Sequence, residues 1–412
     1  MKTRSSIKSP TTPSHNLSSH ILIAGVSTRA AAESAARAGY RVTSIDAFAD
    51  LDQHPSVSAL ATPESYSPDA AARAVDGVEC DAAVYLSGFE NHRAAVRTLA
   101  RGRTLWGNTP EVLRRVRDPH LVSEAFHRHG HVAPVVVTDA AQAHQGDWLI
   151  KPLAAGGGHL VRPWHPGSDL PRDCYLQELV HGAPYSIAFV AAQGCVVRLG
   201  VSGQLIGEPE FGAAGYQYCG SVLEIEGEQT GPLIDAASKL AQTATEEFGL
   251  VGVNGIDFIA RGSVPYPVEV NPRWCASMEL VERAYGISVF EAHAAACAEG
   301  VLTAFDRQTR RVRSGAVGKA VVFARHDVTI GDTEHWLARG LARELARGLA
   351  GGCSSDIHDV PRPGEQIGAG RPVCTVYAEG ADRTSCRDAL IRRADDVYGE
   401  LAVWEDDIPR AP

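Results

Sequence analysis

The stretch that decides the fold is Gly252-Val-Asn-Gly-Ile-Asp-Phe-Ile-Ala260, followed after a Gly-Ser turn by Tyr266-Pro-Val-Glu-Val-Asn-Pro-Arg273. Its apolar runs and its turn predict a β-hairpin. Side chains alternate along a strand, so Glu269 and Asn271 share one face, and Asp257 in the partner strand can join them. Two carboxylates and an amide oxygen form a site that suits Mg²⁺, or Mn²⁺ in its place. For one acid alone, a solvated polar strand face is the usual alternative.

Two segments upstream of the hairpin indicate a phosphate site. Lys151 lies in the apolar stretch Trp148-Leu-Ile-Lys-Pro-Leu153, where an unpaired ammonium group would be costly to bury, so an anionic partner is expected. The glycines at 156–158 allow backbone N–H groups to approach phosphate oxygens closely. Taken singly, the lysine could pair with a neighbouring acid and the glycines could form a mobile turn. The strand end Gln177-Glu-Leu-Val180 offers a backbone edge to an adenine, as any strand end does.

The N-terminal part predicts a parallel, doubly wound sheet. A strand at Ile21–Ala24 is followed by a loop at Gly25, an alanine-rich helix and a second strand at Arg41–Ile45. The loop lacks a full GxGxxG pattern, so a tight turn is favoured over dinucleotide binding. Asp46, at the end of the second strand, is a common turn former as well as a possible ribose partner. Two further strands are predicted at Ala82–Leu86 and Thr104–Trp106.

The remaining pattern predicts a mixed α/β and α+β chain, and its length indicates two or three domains. A helix is predicted to begin at the N-cap Asp118, an amphipathic helix at Leu233–Phe248, and a closing helix at Ser385–Leu401 with a capping box of Ser385 and Asp388. The predicted domains are a disordered tail at 1–19, a Rossmann-like domain at 20–112, a central domain at 113–304 and a small α+β domain at 305–412.

The composition restricts the class of protein. The 412 residues are 44% hydrophobic and carry a formal charge of −10, which argues against a generic nucleic-acid or anionic-membrane binder. The nine cysteines are scattered without a CxxC pair, which favours reduced thiols. No apolar run has membrane-spanning length and the first residues do not form a secretory signal. We therefore expect a cytoplasmic protein.

The order of these segments resembles the ATP-grasp superfamily. A lysine strand, a glycine loop, the Gln-Glu-Leu-Val strand, a long helix and a hairpin ending in Glu-Val-Asn-Pro-Arg follow one another over residues 110–300. The resemblance implies an ATP-grasp fold between an N-terminal Rossmann-like (pre-ATP-grasp) domain and a small C-terminal domain. Gly25–Arg29, Ser87–Asn91 and Trp106–Glu111 are similar to a group of predicted ATP-dependent carboligases related to biotin carboxylase.

The resemblance implies an ATP-dependent ligase that joins a small-molecule carboxylate to an amine through an acyl phosphate, releasing ADP and phosphate. It also implies a homodimer and a role in making a tetrahydromethanopterin-type C1 cofactor. Phosphoryl transfer depends mainly on positioning and charge neutralisation, which metal and cationic groups supply. The implied residues are Asp257, Glu269 and Asn271 for the metal, Lys151, Gly156, Gly157, Gly158, Gln177, Glu178 and Val180 for ATP, and Arg273 with Lys151 for catalysis.

The chain departs from the family pattern at two places. Many members carry a lysine in the helix that begins here at Asp118, and this stretch has none, so Arg162 or Arg198 is a candidate for the missing charge. Pro184 and Tyr185 stand where many members have an acidic ribose partner.

Three residues at predicted strand-to-helix turns of the first domain are candidate substrate contacts, because open α/β sheets bind ligands at the carboxyl ends of their strands. They are Arg29, Glu90 and Asn91. For Glu90, an acid placed at a helix start by the helix dipole is an equal alternative.

Three other functions stay open. A bicarbonate-dependent ATP-grasp carboxylase keeps the fold and changes the substrate. A non-catalytic ATP-binding regulatory protein would agree with the missing lysine. A dinucleotide-dependent oxidoreductase would use the first domain, but the absent GxGxxG pattern counts against it. The sequence does not identify the acid or the amine.

Overall fold

The computed structural model describes residues 19–63, 65–143, 145–225, 231–303, 315–337 and 356–406. Nearly all of the tail predicted at 1–19 lies outside these ranges, as does Cys353. The other eight cysteines form no disulfide with one another. Within the described ranges, no helix is both long and apolar enough to cross a bilayer.

The first sheet has five parallel strands in the order β3-β2-β1-β4-β5. The strands are β1 His20–Ala24, β2 Arg41–Ile45, β3 Val57–Ala59, β4 Ala82–Tyr85 and β5 Thr104–Leu105. The helices are α1 Arg29–Arg37, α2 Pro68–Ala74 and α3 Arg93–Leu99, with a 3₁₀ turn at Phe89–Asn91. The predicted β-loop-α-β unit is therefore confirmed.

The loop after β1 is a tight turn, as the sequence favoured. A Cβ at Gly25 would lie 2.6 Å from the Cβ of Leu86, so only glycine fits there. Asp46 accepts hydrogen bonds from the backbone N–H groups of Thr28 and Ala49 at 3.1 and 2.8 Å. Its carboxylate thus holds the loops at this sheet edge together.

A small antiparallel sheet follows, in the order β6-β9-β7-β8. Its buried side chains, among them Trp148 and Leu176, form a core of their own. The strand at Val136–Val137 has only two residues, and Pro134 just before it lacks a backbone donor. The elements are α4 Pro110–Val116, α5 Pro119–Arg128, β6 Val136–Val137, a 3₁₀ turn Ala140–Gln142, β7 Trp148–Pro152, β8 Arg162–Trp164 and β9 Cys174–Glu178.

The large sheet contains the hairpin, and its strands are antiparallel. The strands are β10 Ala183–Ala192, β11 Cys195–Ile206, β12 Tyr218–Glu224, β13 Gly252–Arg261, β14 Val264–Asn271, β15 Ala316–Phe323, β17 Ile357–His358 and β19 Pro372–Gly380. Their order is β14-β13-β10-β11-β12-β15-β19-β17. A separate pair joins β16 Val328–Thr329 to β18 Gln366–Ile367. The helices are α6 Pro232–Phe248, α7 Met278–Tyr285, α8 Val289–Glu299 and α9 Arg383–Asp406, with a 3₁₀ turn at Pro209–Phe211.

The C-terminal part differs from the sequence prediction in two respects. Its strands β15, β17 and β19 extend the sheet that carries the hairpin, so one sheet crosses the predicted boundary at 304 and 305. The capping box predicted for Ser385 and Asp388 is wrong, because the helix begins one turn earlier. Asp382 caps it, accepting a hydrogen bond from Ser385 N at 2.8 Å and donating its own N–H to Ser385 Oγ at 3.1 Å.

Candidate active site

One cavity of about 990 Å³ is lined by residues of the small and large antiparallel sheets and of the turns that follow β1 and β4 of the first sheet. The fourteen residues assigned from the sequence to the metal, to ATP, to catalysis or to the substrate all line it, although they are spread over more than two hundred positions of the chain. They are Arg29, Glu90, Asn91, Lys151, Gly156, Gly157, Gly158, Gln177, Glu178, Val180, Asp257, Glu269, Asn271 and Arg273.

The polar face of the hairpin forms one wall of this cavity. Asp257 lies opposite Glu269 in the β13–β14 register, and Asn271 Nδ2 donates to Asp257 Oδ2 at 3.0 Å. Gln204 from β11 donates to the other oxygen, Asp257 Oδ1, at 2.9 Å. Burial and the neighbouring Glu269 carboxylate raise the pKa of Asp257 to about 6. The face is therefore directed into a cleft, unlike a solvated strand surface.

Glu269 is paired with an arginine that sequence reasoning missed. Arg117 Nη1 donates to Glu269 Oε1 at 2.8 Å and to the Val270 carbonyl at 3.0 Å. Burial raises the pKa of Glu269, but the charges of Arg117 and Lys151 outweigh it and hold the pKa below its usual value. The carboxylate therefore stays ionised at neutral pH.

The sequence signal that could have identified Arg117 was its position directly before Asp118, the N-cap of α5. The family resemblance directed attention to the helix itself, where the lysine is missing. The two arginines considered as substitutes do not line the cavity: Arg162 is exposed on β8 and Arg198 donates to Ser238 Oγ at 3.3 Å. Arg117 supplies a positive charge in this part of the cavity.

Arg117 also fastens the start of the glycine loop. Its Nη2 donates to the carbonyl of Ala155 at 3.2 Å, and its Nε donates to Asn91 Oδ1 at 3.0 Å. Asn91 Nδ2 donates to the same Ala155 carbonyl at 3.4 Å. Both ends of the Asn91 amide are thus engaged within the protein, and its predicted substrate contact stays a prediction.

The glycine loop is docked against the segment that enters β12. Tyr218 N donates to the carbonyl of Gly157 at 2.9 Å. Gly158 has a φ of +73°, and a Cβ there would lie 2.0 Å from the carbonyl oxygen of Tyr216. Gly156, by contrast, has open space around it. Two conditions, the left-handed backbone and the close approach, therefore require glycine at position 158.

Lys151 reaches the hairpin without forming an ion pair. Its Nζ donates to Gln177 Oε1 at 3.1 Å and to the Val268 carbonyl at 3.2 Å. No carboxylate of the described residues lies within ion-pair distance of Nζ. Lys151 therefore does not form the ion pair with a neighbouring acid that the sequence left open. Glu178 Oε2 accepts from Val135 N at 3.2 Å, which ties the predicted adenine segment to the small sheet.

Arg273 connects the hairpin to the first sheet. Its Nε donates to Glu90 Oε1 at 2.6 Å, and its Nη2 donates to Asn271 Oδ1 at 3.0 Å. Glu90 lies in the 3₁₀ turn after β4 and is only 2% exposed. Glu90 therefore does more than stabilise the start of a helix: it forms a buried ion pair with Arg273, which is 183 residues away in the sequence.

Arg29 lies in the cavity wall, but carboxylates surround its guanidinium. It pairs with Asp359 at 2.7 Å and with Glu279 at 3.0 Å, and its side chain is 1% exposed. Glu279 in turn accepts from Lys319 Nζ at 3.0 Å. This ionic cluster joins α1 to α7 and to the C-terminal strands, and the predicted substrate role of Arg29 stays a prediction.

The donor set of the hairpin is suited to a hard cation. Within the described ranges, no group of three His, Cys, Asp or Glu side chains could hold a metal. The hairpin instead offers two carboxylates and one amide oxygen, and Mg²⁺ commonly uses one or two carboxylates with substrate phosphates completing its ligands. The residues present therefore fit a magnesium ion that arrives with a nucleotide.

The middle of the chain is similar to a known protein family. Residues 116–277 match the family model of the ATP-grasp domain. A search of curated proteins finds no match to the sequence.

Several solved structures are similar over nearly the whole chain. An L-amino acid ligase from Bacillus licheniformis is 16% identical, with a TM-score of 0.66, over 92% of this chain and 97% of that one. Biotin carboxylase from Campylobacter jejuni is 15% identical, with a TM-score of 0.66, over 90% and 89%. Carboxyaminoimidazole ribonucleotide synthase from Aspergillus clavatus, solved with ATP, is 15% identical, with a TM-score of 0.64, over 93% and 99%.

Proposed function

Because the chain has the ATP-grasp fold and carries an ATP-grasp domain, we propose that it is a ligase that couples ATP cleavage to joining a carboxylate and an amine. One observation carries this proposal: the acids of the hairpin and Lys151, Arg117 and Arg273 line a single cavity. Negative groups for a metal and positive groups for phosphates thus lie in one cleft, which is what phosphoryl transfer requires.

The nucleotide is proposed to lie between the small sheet and the hairpin. The strand end at Gln177, Glu178 and Val180 receives the adenine, and the glycine loop covers the phosphates. Among the residues that the structure describes, no carboxylate pairs with the ammonium group of Lys151, so this group is free to neutralise phosphate charge. Its present acceptors, Gln177 Oε1 and the Val268 carbonyl, are uncharged, and exchanging one of them for a phosphate oxygen gives a hydrogen bond between opposite charges.

Asp257, Glu269 and Asn271 are the proposed metal ligands. A bound Mg²⁺ neutralises phosphate charge and helps to orient the phosphates. Glu269 suits this role because Arg117 and Lys151 keep it ionised, and Arg117 holds only one of its two oxygens. Gln204 fixes the orientation of Asp257 from the neighbouring strand.

The proposed reaction has two steps. A substrate carboxylate oxygen forms a bond to the γ-phosphorus of ATP, and the bond to ADP breaks. The amine nitrogen then bonds to the acyl carbon, and phosphate leaves with the bonding electron pair. Arg273, held between Glu90 and Asn271, is placed to stabilise the negative charge of the transferred phosphoryl group.

A screen for ADP release tests the proposal. Purified protein with MgATP is offered carboxylates with and without amines, beside Glu269→Gln and the control Glu246→Gln on the exposed face of α6. We expect ADP release to depend on both substrates. In Glu269→Gln the rate of ADP release should fall at least about a hundredfold, as for loss of a charge-stabilising group. In Glu246→Gln it should be unchanged. Full activity in Glu269→Gln would refute the metal assignment.

A carboxylase is the second candidate, favoured by the similarity to biotin carboxylase and to carboxyaminoimidazole ribonucleotide synthase. It predicts that ADP release depends on bicarbonate and not on a substrate carboxylate. A regulatory ATP-binding protein predicts nucleotide binding without ADP release in any mixture. The role in making a tetrahydromethanopterin-type cofactor stays a prediction from the sequence resemblance.

A further inference from the structure

Two buried polar atoms in the cavity wall have no hydrogen-bond partner among the described residues. They are Glu90 Oε2 and Trp274 Nε1, and they are the only atoms of this kind that belong to described residues lining the cavity. Glu90 is 2% exposed and Trp274 is 7% exposed. A buried polar atom without a partner is costly, so such an atom in a binding cavity indicates a group that the ligand supplies.

The unpartnered oxygen of Glu90 belongs to a side chain close to the proposed reaction centre. Its other oxygen accepts from Arg273 Nε at 2.6 Å, and Arg273 donates to Asn271 at 3.0 Å. Asn271 donates to Asp257 at 3.0 Å. Glu90 is thus two side chains away from the proposed metal-binding acid. Trp274 directly follows Arg273 in the chain, and it lines the same cavity as Glu90.

The two atoms differ in what they can bind. Glu90 Oε2 is an acceptor on an acidic side chain, and it suits a cationic N–H donor. Trp274 Nε1 can only donate, so it suits a carbonyl or carboxylate oxygen. A bicarbonate ion placed against Glu90 Oε2 would meet like charge. A primary ammonium group with an oxygen acceptor nearby satisfies both atoms together.

We propose that Glu90 and Trp274 form the acceptor subsite, and that the acceptor is an amino acid bound through its ammonium group to Glu90 Oε2 and through a carboxylate oxygen to Trp274 Nε1. This proposal rests on the ligase function proposed above. Before attack, the ammonium group transfers one proton to Glu90. The neutral nitrogen then forms the C–N bond as the C–O bond to phosphate breaks, and the leaving phosphate takes the second proton.

Equilibrium binding tests the subsite without requiring turnover. The thermal midpoint and the calorimetric affinity are measured at neutral pH in the presence of MgADP, with the standard amino acids and with their N-acetyl forms as probes. Acetylation removes the positive charge and leaves the carboxylate. Glu90→Gln keeps an oxygen for Arg273 and removes the negative charge, and Trp274→Phe removes the indole donor.

We expect at least one amino acid to bind the wild-type protein, its N-acetyl form to bind roughly tenfold to a hundredfold more weakly, and Glu90→Gln to show the same loss. Trp274→Phe is expected to weaken binding severalfold. Absence of binding by every amino acid, or equal affinity in the wild type and Glu90→Gln, would overturn the subsite. The midpoint shift caused by MgADP alone reports separately on folding and on the nucleotide site. Its absence in the wild type would count against the ligase function.

Discussion

The ion pair between Arg117 and Glu269 is expected to stabilise the fold and to couple the hairpin to the glycine loop. The two side chains are 13% and 27% exposed, with Nη1 and Oε1 2.8 Å apart. At an effective dielectric constant of about 20, the Coulomb attraction at this distance is about 6 kcal/mol. Loss of hydration offsets much of that gain. We therefore expect a coupling free energy of about 1–3 kcal/mol between the two positions.

A double-mutant cycle measures this coupling. The free energy of unfolding in urea, followed by tryptophan fluorescence, is compared for the wild type, Arg117→Met, Glu269→Gln and the double variant. Arg117→Met alone is expected to cost about 3–5 kcal/mol, because it leaves a mostly buried carboxylate without its partner. The same cycle at the exposed pair of Arg97 and Glu111, which are 60% and 71% exposed, should give no measurable coupling. Equal coupling in the two cycles would refute the reasoning.

Three further changes have expected outcomes. Gly158→Ala should weaken ATP binding at least tenfold, as measured by calorimetry, because left-handed backbone strain costs about 1–2 kcal/mol. Gly156→Ala should change the affinity for ATP little. Equal effects of the two substitutions would contradict the docking of the glycine loop. Asn91→Ala should speed proteolytic cleavage near Ala155, and unchanged cleavage would show that Arg117 holds the loop alone. Burial lowers the pKa of His293 to about 4, so the unfolded chain takes up its proton first as the pH falls. The contribution of His293 to folding stability should then fall by about 3 kcal/mol from pH 6.5 to pH 4. His293→Gln should flatten this part of the urea-measured profile, and an unchanged slope would contradict a neutral buried His293.

The hairpin and the first sheet could be predicted because their signals are local. Alternating side chains and a Gly-Ser turn are enough to predict β13 and β14, and Arg41–Ile45 was predicted with the bounds that the structure has. The apolar stripe of Leu233–Phe248 likewise predicts which face of α6 is buried. The predicted N-cap of the last helix was wrong because the local signal was ambiguous: Asp382 and Ser385, three residues apart, can each cap a helix.

The sequence by itself determined which side chains could hold a metal and which could approach a phosphate. Their residue types and strand positions carry that chemistry whatever surrounds them. Only the tertiary structure decided which groups meet: Arg117 and Glu269 are 152 residues apart, and Glu90 and Arg273 are 183 apart. No local pattern encodes such pairs, because packing of the three sheets brings them together. The same packing leaves one oxygen of Glu90, in the cavity wall, without a partner in the described part of the chain.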